Sequence, residues 1–374
     1  MAILFLVIVF GCSERSDEAT EEQEGAVLTV AMDEEPEELA LEHDLRLSQL
    51  TETHTKHLWG IFEDSDGNFY WQDNLIKQVH QYSPGGEYVR SFGGEGRGPG
   101  ELAYLASSTA KKNTLLLLDS MSKSVHLFNS ETGQYQTSLS IETQDSLSVF
   151  SLPEKVLAEN DSTFLLIHRY DTFVVSVDSI PLFRFSMNGE IVDSDFFRYP
   201  LPDAMEGNRG SGRFRSPANF NANSELRVFN GGGFVHSHAS RPVFHIYEPD
   251  GTLRTSLVMD LEPVQLTQEH IQYEIDNSHP MIDLASSVRN AEEIPDYWPY
   301  WGDYKIDSED NIWVQVNTNP PLEREWRVIS QAGEWLATLA LEQGETLQYV
   351  GKNRIYTSRS VDGIMEVDRY RFEL

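Results

Sequence analysis

An all-β fold is predicted by three observations. A polar corner followed by a β-rich run recurs six times along 374 residues. In five of the six units a further strand leads into a Gly turn. The last unit stops one strand short, while an extended apolar stretch near the amino terminus has no partner of its own. Joining the two ends removes the exposed sheet edges, and the solution is a six-bladed β-propeller of four-stranded antiparallel blades, with an N-terminal strand completing the last blade.

The corners are Asp66-Gly67-Asn68, Lys112-Asn113, Asp161-Ser162, Asn223-Ser224, Asp310-Asn311 and Lys352-Asn353. The runs after them are 69–71, 114–118, 163–167, 225–229, 312–316 and 354–357, rich in β-branched and aromatic residues. Second strands follow at 78–82, 125–128, 182–185, 243–247 and 326–329. Each leads into a turn whose Gly supplies positive φ: Gly85-Gly86, Gly133, Gly189, Gly251 and Gly333. The terminal strand is Met365 to Leu374, and Ala26 to Met32 is the segment expected to pair with it.

Corner spacing runs from 42 to 87 residues. The longest gap has room for a seventh blade, but residues 264–300 carry no corner or Gly turn. Thr267 suits a helix N-cap, and Ile271, Glu274 and Ile275 recur at helical spacing, so this gap is read as a helical insertion. An aromatic run, Tyr297-Trp298-Pro299-Tyr300-Trp301, follows.

Ahead of the propeller, residues 26–374, the chain reads as an address. Ile3 to Phe10 is an apolar run too short to span a bilayer, and Gly11-Cys12 follows it. The run and the cysteine resemble a bacterial lipoprotein signal, which implies removal of residues 1–11 and lipid on Cys12. Residues 12–25 form an acidic tether, similar to surface-export signals of Bacteroidetes-type lipoproteins. The implied location is the cell envelope, anchored to the outer membrane.

Charge narrows the partners. Sixty acidic against 28 basic residues give −32, which excludes a nucleic-acid binder. Only eight of the basic residues are lysine, a pattern of salt-rich habitats as well as of acidic secreted proteins. With one cysteine there is neither an internal disulfide nor a CxxC zinc site.

The stretch Tyr88 to Leu102 contains Gly94-Glu95-Gly96-Arg97-Gly98-Pro99-Gly100-Glu101. This strand followed by G-x-G-R-G-P-G-E resembles the inter-blade linker of NHL-like propellers, and more closely the bacterial 6-bladed β-propeller lipoprotein family. The resemblance spans about residues 26–374 and implies a fold and an envelope location, with no common reaction. Gly96, Arg97, Gly98, Pro99, Gly100 and Glu101 are read as a structural linker, in which Arg97 and Glu101 pair or hold neighbouring backbone groups.

Candidate ligand residues fall in four groups. Arg209, Arg213 and Arg215 sit in a loop that would offer a local positive site in an acidic protein. Trp298, Tyr300 and Trp301 end the insertion and suit recognition of sugars or peptides. The expectation is a pocket between that loop and that insertion. His168-Arg169 ends an apolar strand, at a pocket rim. His236 and His238 share one strand face but lack an identifiable third ligand, so no metal is assigned. Asp64 to Asn68 matches half an EF-hand loop, but Leu75 stands where the bidentate Glu belongs, so both this segment and Asp307 to Asn311 are read as hairpin corners. No nucleophile elbow, Walker loop, HExxH or dinucleotide fingerprint occurs.

The functional expectation is a monomeric, lipid-anchored binding or scaffold module for a protein, peptide or glycan, with no cofactor. The alternative is a propeller enzyme, a calcium-dependent lactonase or a lyase, using the central channel. Three or more carboxylates or amides converging on the channel would favour the enzyme. An exposed aromatic rim would favour binding.

Overall fold

The computed structural model describes residues 25–374 except 33, 48–57, 142–150, 171–176, 211, 279–282, 320–322, 343 and 362–363. Cys12 and most of the acidic tether lie outside the described residues. Six sheets make the ring, five of four strands and one, blade 4, with a fifth strand added. Blade 1 is Gly60–Glu63, Phe69–Asp73, Gln78–Tyr82 and Tyr88–Gly93. Blade 2 runs from Leu105–Lys111 to Tyr135–Ser140, and blade 3 from Ser151–Ala158 to Ile191–Pro200. Blade 4 runs from Ser224–Val228 to Leu253–Met259, and blade 5 from Trp301–Ile306 to Trp335–Ala340. Blade 6 is Thr346–Gly351, Arg354–Val361, Ile364–Arg371 and the early strand Glu42–Arg46.

An N-terminal strand therefore does close the ring, but from a different segment than expected. Glu42–Arg46 pairs antiparallel with Ile364–Arg371. Ala26–Val30 instead lies parallel to Leu253–Met259, as a fifth strand on blade 4. The reason is where each edge lies. The closing strand is the outermost of its blade and is held by ion pairs: Arg46 Nε and Nη2 donate to buried Asp368 at 2.9 and 3.1 Å, and His43 Nε2 is 3.0 Å from the same carboxylate. Asp44 in turn receives Arg369 and Arg371, each at 2.6 Å. The apolar Ala26–Val30 has a better place, with Val30 inside the core shared by blades 4 and 5.

The core lies between blades. Thr114–Asp119 shows how: Leu115 and Leu117 face blade 1, while Leu116 and Leu118 face blade 3. A strand buried on both faces needs an unbroken apolar run, which this one has. Equivalent clusters join blades 3 and 4, 4 and 5, 5 and 6, and 6 and 1.

The corners are built as read. Asp64 accepts from the backbone N–H groups of Asp66 and Asn68, from Asn68 Nδ2 and from Tyr70 OH. Asp307 repeats the pattern, with Trp313 Nε1 at 2.9 Å. One corner is displaced. Ser224–Val228 is the inner strand of blade 4, so its corner is the glycine turn at 231–233 rather than Asn223-Ser224. Outer strands carry a polar repeat. His80 lies opposite Ser91, His126 opposite Ser138, and His245 opposite Ser256, with Nδ1···Oγ distances of 2.6 to 2.9 Å.

Two additions stand on the face where the blades are linked. A hairpin, Met205–Arg209 with Gly212–Ser216, follows blade 3. The insertion follows blade 4 and holds α1 (Gln268–Asn277), N-capped by Thr267, and α2 (Leu284–Asn290). Hairpin and insertion share a small core of Met205, Phe220, Leu284 and Trp298. Gly207 makes their contact possible, since a Cβ there would come within 2.0 Å of Asn290 O.

Candidate functional site

In a meander blade the inner strand starts at the link face and ends at the corner face. Three contiguous depressions occupy the link face. The first, about 330 Å³, spans blades 1 to 3. Its rim is Trp59, Tyr104, Met121 and Leu152, with exposures of 56, 46, 65 and 39%. Trp59 and Tyr104 each stand one residue ahead of an inner strand, and Leu152 is the second residue of the next. Their places at the starts of three successive inner strands bring the three side chains to one depression. A patch of large exposed apolar groups around a concavity marks an interaction site.

The second depression, about 310 Å³, lies between blades 3 and 4 over Ile167, Tyr199 and Leu226. Arg169 and Glu154 belong to both depressions and form the ridge between them. Arg169 is exposed, and among the described residues neither it nor Glu154 has an ion-pair partner. The third, about 240 Å³, reaches from Asp203 and Asn223 to Trp298 and Gln315.

The channel below carries a chain of opposite charges. Lys155 Nζ lies 3.2 Å from Glu225, Arg227 Nη1 lies 2.5 Å from Glu225 and Nη2 3.6 Å from Asp303, and Lys305 lies 2.6 Å from Asp303. Burial opposes the charge on Glu225, but Arg227, Lys155 and Lys305 outweigh it and hold the carboxyl far below the usual range. At the corner face Glu63 accepts from Tyr356 OH at 2.6 Å and faces Arg354 at 3.6 Å. Burial raises its pKa more than these partners lower it. These carboxylates are taken up by cations and hydroxyls. Among the described residues no three His, Cys, Asp or Glu side chains gather as a metal site.

The sequence candidates are distributed as follows. Arg213 and Arg215 do not make a free positive site, because both face Glu206 at 3.5 Å and Arg215 also donates to Pro202 O at 2.5 Å. The Arg209 side chain lies outside the described ones. The expected exposed aromatic platform is corrected too. Trp298 and Trp301 are 5 and 1% exposed, and their Nε1 groups donate inward to His270 and Ser237. Apolar neighbours from the hairpin and blade 4 claimed both rings. Tyr300 is half-buried against the same core. Hairpin and insertion do meet on one face, and the feet of both border the third depression.

His168 is buried, with Nδ1 3.0 Å from Ser151 Oγ. His236 is buried with Nε2 3.1 Å from Ser224 Oγ, and burial lowers its pKa to about 3. His238 Nε2 is 3.2 Å from Leu201 O and 3.6 Å from Asp203. In the linker, Glu101 Oε2 accepts from the backbone N–H groups of Arg97 and Gly98 at 2.9 and 2.7 Å. Gly96 leaves room for that carboxylate, and Gly100 supplies a φ of +78°. Sequence reasoning missed Trp59, Tyr104, Met121 and Leu152; the signal for Trp59, Tyr104 and Leu152 was their place at the start of an inner strand, and Met121, in a turn of blade 2, carried none.

With this geometry in place, comparison supplies the relatives. Residues 50–178 match a family model described as a 6-bladed beta-propeller. Two solved structures share the ring. One is a protein of Bacteroides fragilis described as a candidate exported protein, with TM-score 0.57, 12% identity, and coverage of 94% of this chain and 100% of that one. The other is a DUF4221-family member from Bacteroides vulgatus, with TM-score 0.56, 12% identity, and coverage of 90 and 98%. At that identity the likeness carries the propeller fold alone. The comparison with curated proteins finds no match.

Proposed function

We propose that this propeller is an envelope-anchored recognition module that binds a peptide segment of a protein partner across its link face. The observation that carries the reading is the rim of Trp59, Tyr104, Met121 and Leu152 around a depression bordered by Arg169 and Glu154. An apolar side chain of the segment fills the depression, where aromatic contacts concentrate binding energy. The two ridge charges suit the oppositely charged groups of a peptide, and Arg169 offers a planar fork for a carboxylate. The pairing of the channel carboxylates with cations supports binding over channel chemistry. Anchoring rests on Cys12 behind its apolar run.

Selection from a displayed peptide library tests the reading. Enriched peptides should combine an aromatic or aliphatic residue with an acidic one. Trp59→Ala and Arg169→Glu should each weaken them at least tenfold at unchanged melting temperature. Equal enrichment on wild type and on both variants would refute it. For the anchor, Cys12→Ser should move the protein from membranes to the soluble fraction.

A further inference from the structure

The third depression has a different chemistry from the other two. Its wall is made of amides: Asn219, Asn221, Asn223, Gln315 and Asn317. No lysine or arginine lines it, and Asp203 is its one carboxylate.

Several of these amides are fixed by one internal hydrogen bond and keep the other end for further bonding. Asn317 Nδ2 donates to Pro299 O at 2.8 Å, which leaves Oδ1. Asn219 Nδ2 donates to Glu274 at 2.6 Å, which leaves its oxygen. Asn221 Oδ1 accepts from Ala218 N at 2.9 Å, which leaves Nδ2 as a donor. Gln315 makes no side-chain hydrogen bond among the described residues, although only 6% of it is exposed. Above Gly302 two acceptors converge. A point one Cβ above that backbone lies 2.8 Å from Gln315 Oε1 and 3.7 Å from Asn317 Oδ1. Trp298 and Trp301, their N–H groups engaged elsewhere, add only apolar ring surface.

These features select a ligand by elimination. An anion finds no cation here, and a metal ion finds one carboxylate. An apolar ligand would strand amide valences that are costly to leave unmade. A neutral ring bearing adjacent hydroxyls fits, because each hydroxyl both donates and accepts, as the amide set requires. At about 240 Å³ the cavity lies below the usual range for drug-sized ligands, roughly 300–1,000 Å³, which suits one ring rather than a long chain. We infer that the amide pocket at Gly302, Gln315 and Asn317 is a monosaccharide-unit site, with Gln315 and Asn317 accepting from neighbouring hydroxyls. It is separate from the peptide rim, so either reading can fail without the other.

Saturation-transfer NMR on the purified protein, with glucose, galactose, mannose, N-acetylglucosamine and their methyl glycosides, tests it. At least one should give transfer and perturb tryptophan fluorescence. Gly302→Ala places a methyl against Gln315 Oε1, on the side from which the hydroxyls would approach. It needs no unusual backbone angle, since Gly302 is not in the positive-φ region, and it should weaken that sugar at least tenfold. Asp203→Asn, on the exposed edge, should also weaken it while leaving the melting temperature unchanged. Trp59→Ala should leave it unaltered. No transfer from any of these sugars, or transfer equal in wild type, Gly302→Ala and Asp203→Asn, would overturn the assignment.

Discussion

His236 shows how a residue can look functional in sequence and prove structural. Its pairing with His238 two positions on suggested a metal or ligand role. In the fold it is buried beside Tyr199, with ring centroids 5.2 Å apart, and hydrogen-bonded to Ser224. Burial, with lesser contributions from His245 and His238, lowers its pKa to about 3. An unfolded histidine titrates near 6.5. Protons therefore bind the unfolded chain first, and stability present above pH 6.5 is lost as pH falls toward 3. The expected loss at pH 5 is about 2 kcal/mol from this residue. His126 and His245, also lowered by burial, add in the same direction. Urea unfolding at pH 7 and pH 5 should show the fall, and His236→Phe should flatten part of it. Equal pH slopes in wild type and variant would remove His236 as the cause. The expected exposure of Trp298 and Trp301 is not met for a related reason: aromatic type was legible, but burial depends on what the hairpin and blade 4 bring against it.

At the scale of elements, the second strands, the Gly turns and α1 were legible because each carries a local rule. Inner strands were harder, and the inner strand Ser224–Val228 was taken for the run after a corner because it resembles one in composition. The closing strand was illegible for a physical reason. Glu-His-Asp-Leu-Arg offers no apolar alternation, and its pairing is decided by Asp368, Arg369 and Arg371, more than 300 residues away. Ala26–Val30 looked the better strand and is one, on another blade. The two segments should fail differently. Asp44→Ala leaves Arg369, 3% exposed, without its carboxylate, and breaking such a buried pair costs about 3 kcal/mol or more. It opens the ring between blades 6 and 1 and should blunt cooperativity. Deleting residues 25–31 removes an added outer strand, so unfolding should shift yet stay a single transition. Hydrogen exchange can separate them: blade 6 amides should lose protection in the first variant, and blade 4 edge amides in the second. Loss of the whole ring in the deletion would reverse this assignment of roles.

The molecule as a whole carries a charge that its fold does not neutralise. Residues 1–24 account for only a small part of the −32, and −27 remains on the rest. Two effects of salt then compete. Screening weakens exposed ion pairs such as Arg198 with Asp195, each worth about 0–1 kcal/mol. It also relieves repulsion among excess carboxylates, because the Debye length falls from about 30 Å at 0.01 M to about 3 Å at 1 M. With acids outnumbering bases two to one, the relief should win. The apolar inter-blade cores are not weakened by screening, and the Arg227–Glu225 pair in the channel is less exposed than surface pairs such as Arg198 with Asp195. The melting temperature should therefore rise between 0.01 and 0.5 M NaCl, and equally in KCl at the same ionic strength, since screening is not ion-specific. The rise should shrink at pH 4, where many exposed carboxylates are protonated. A melting temperature that falls with salt at pH 7 would mean that surface ion pairs, rather than repulsion, dominate the balance. It would also remove the physical link between this composition and salt-rich surroundings.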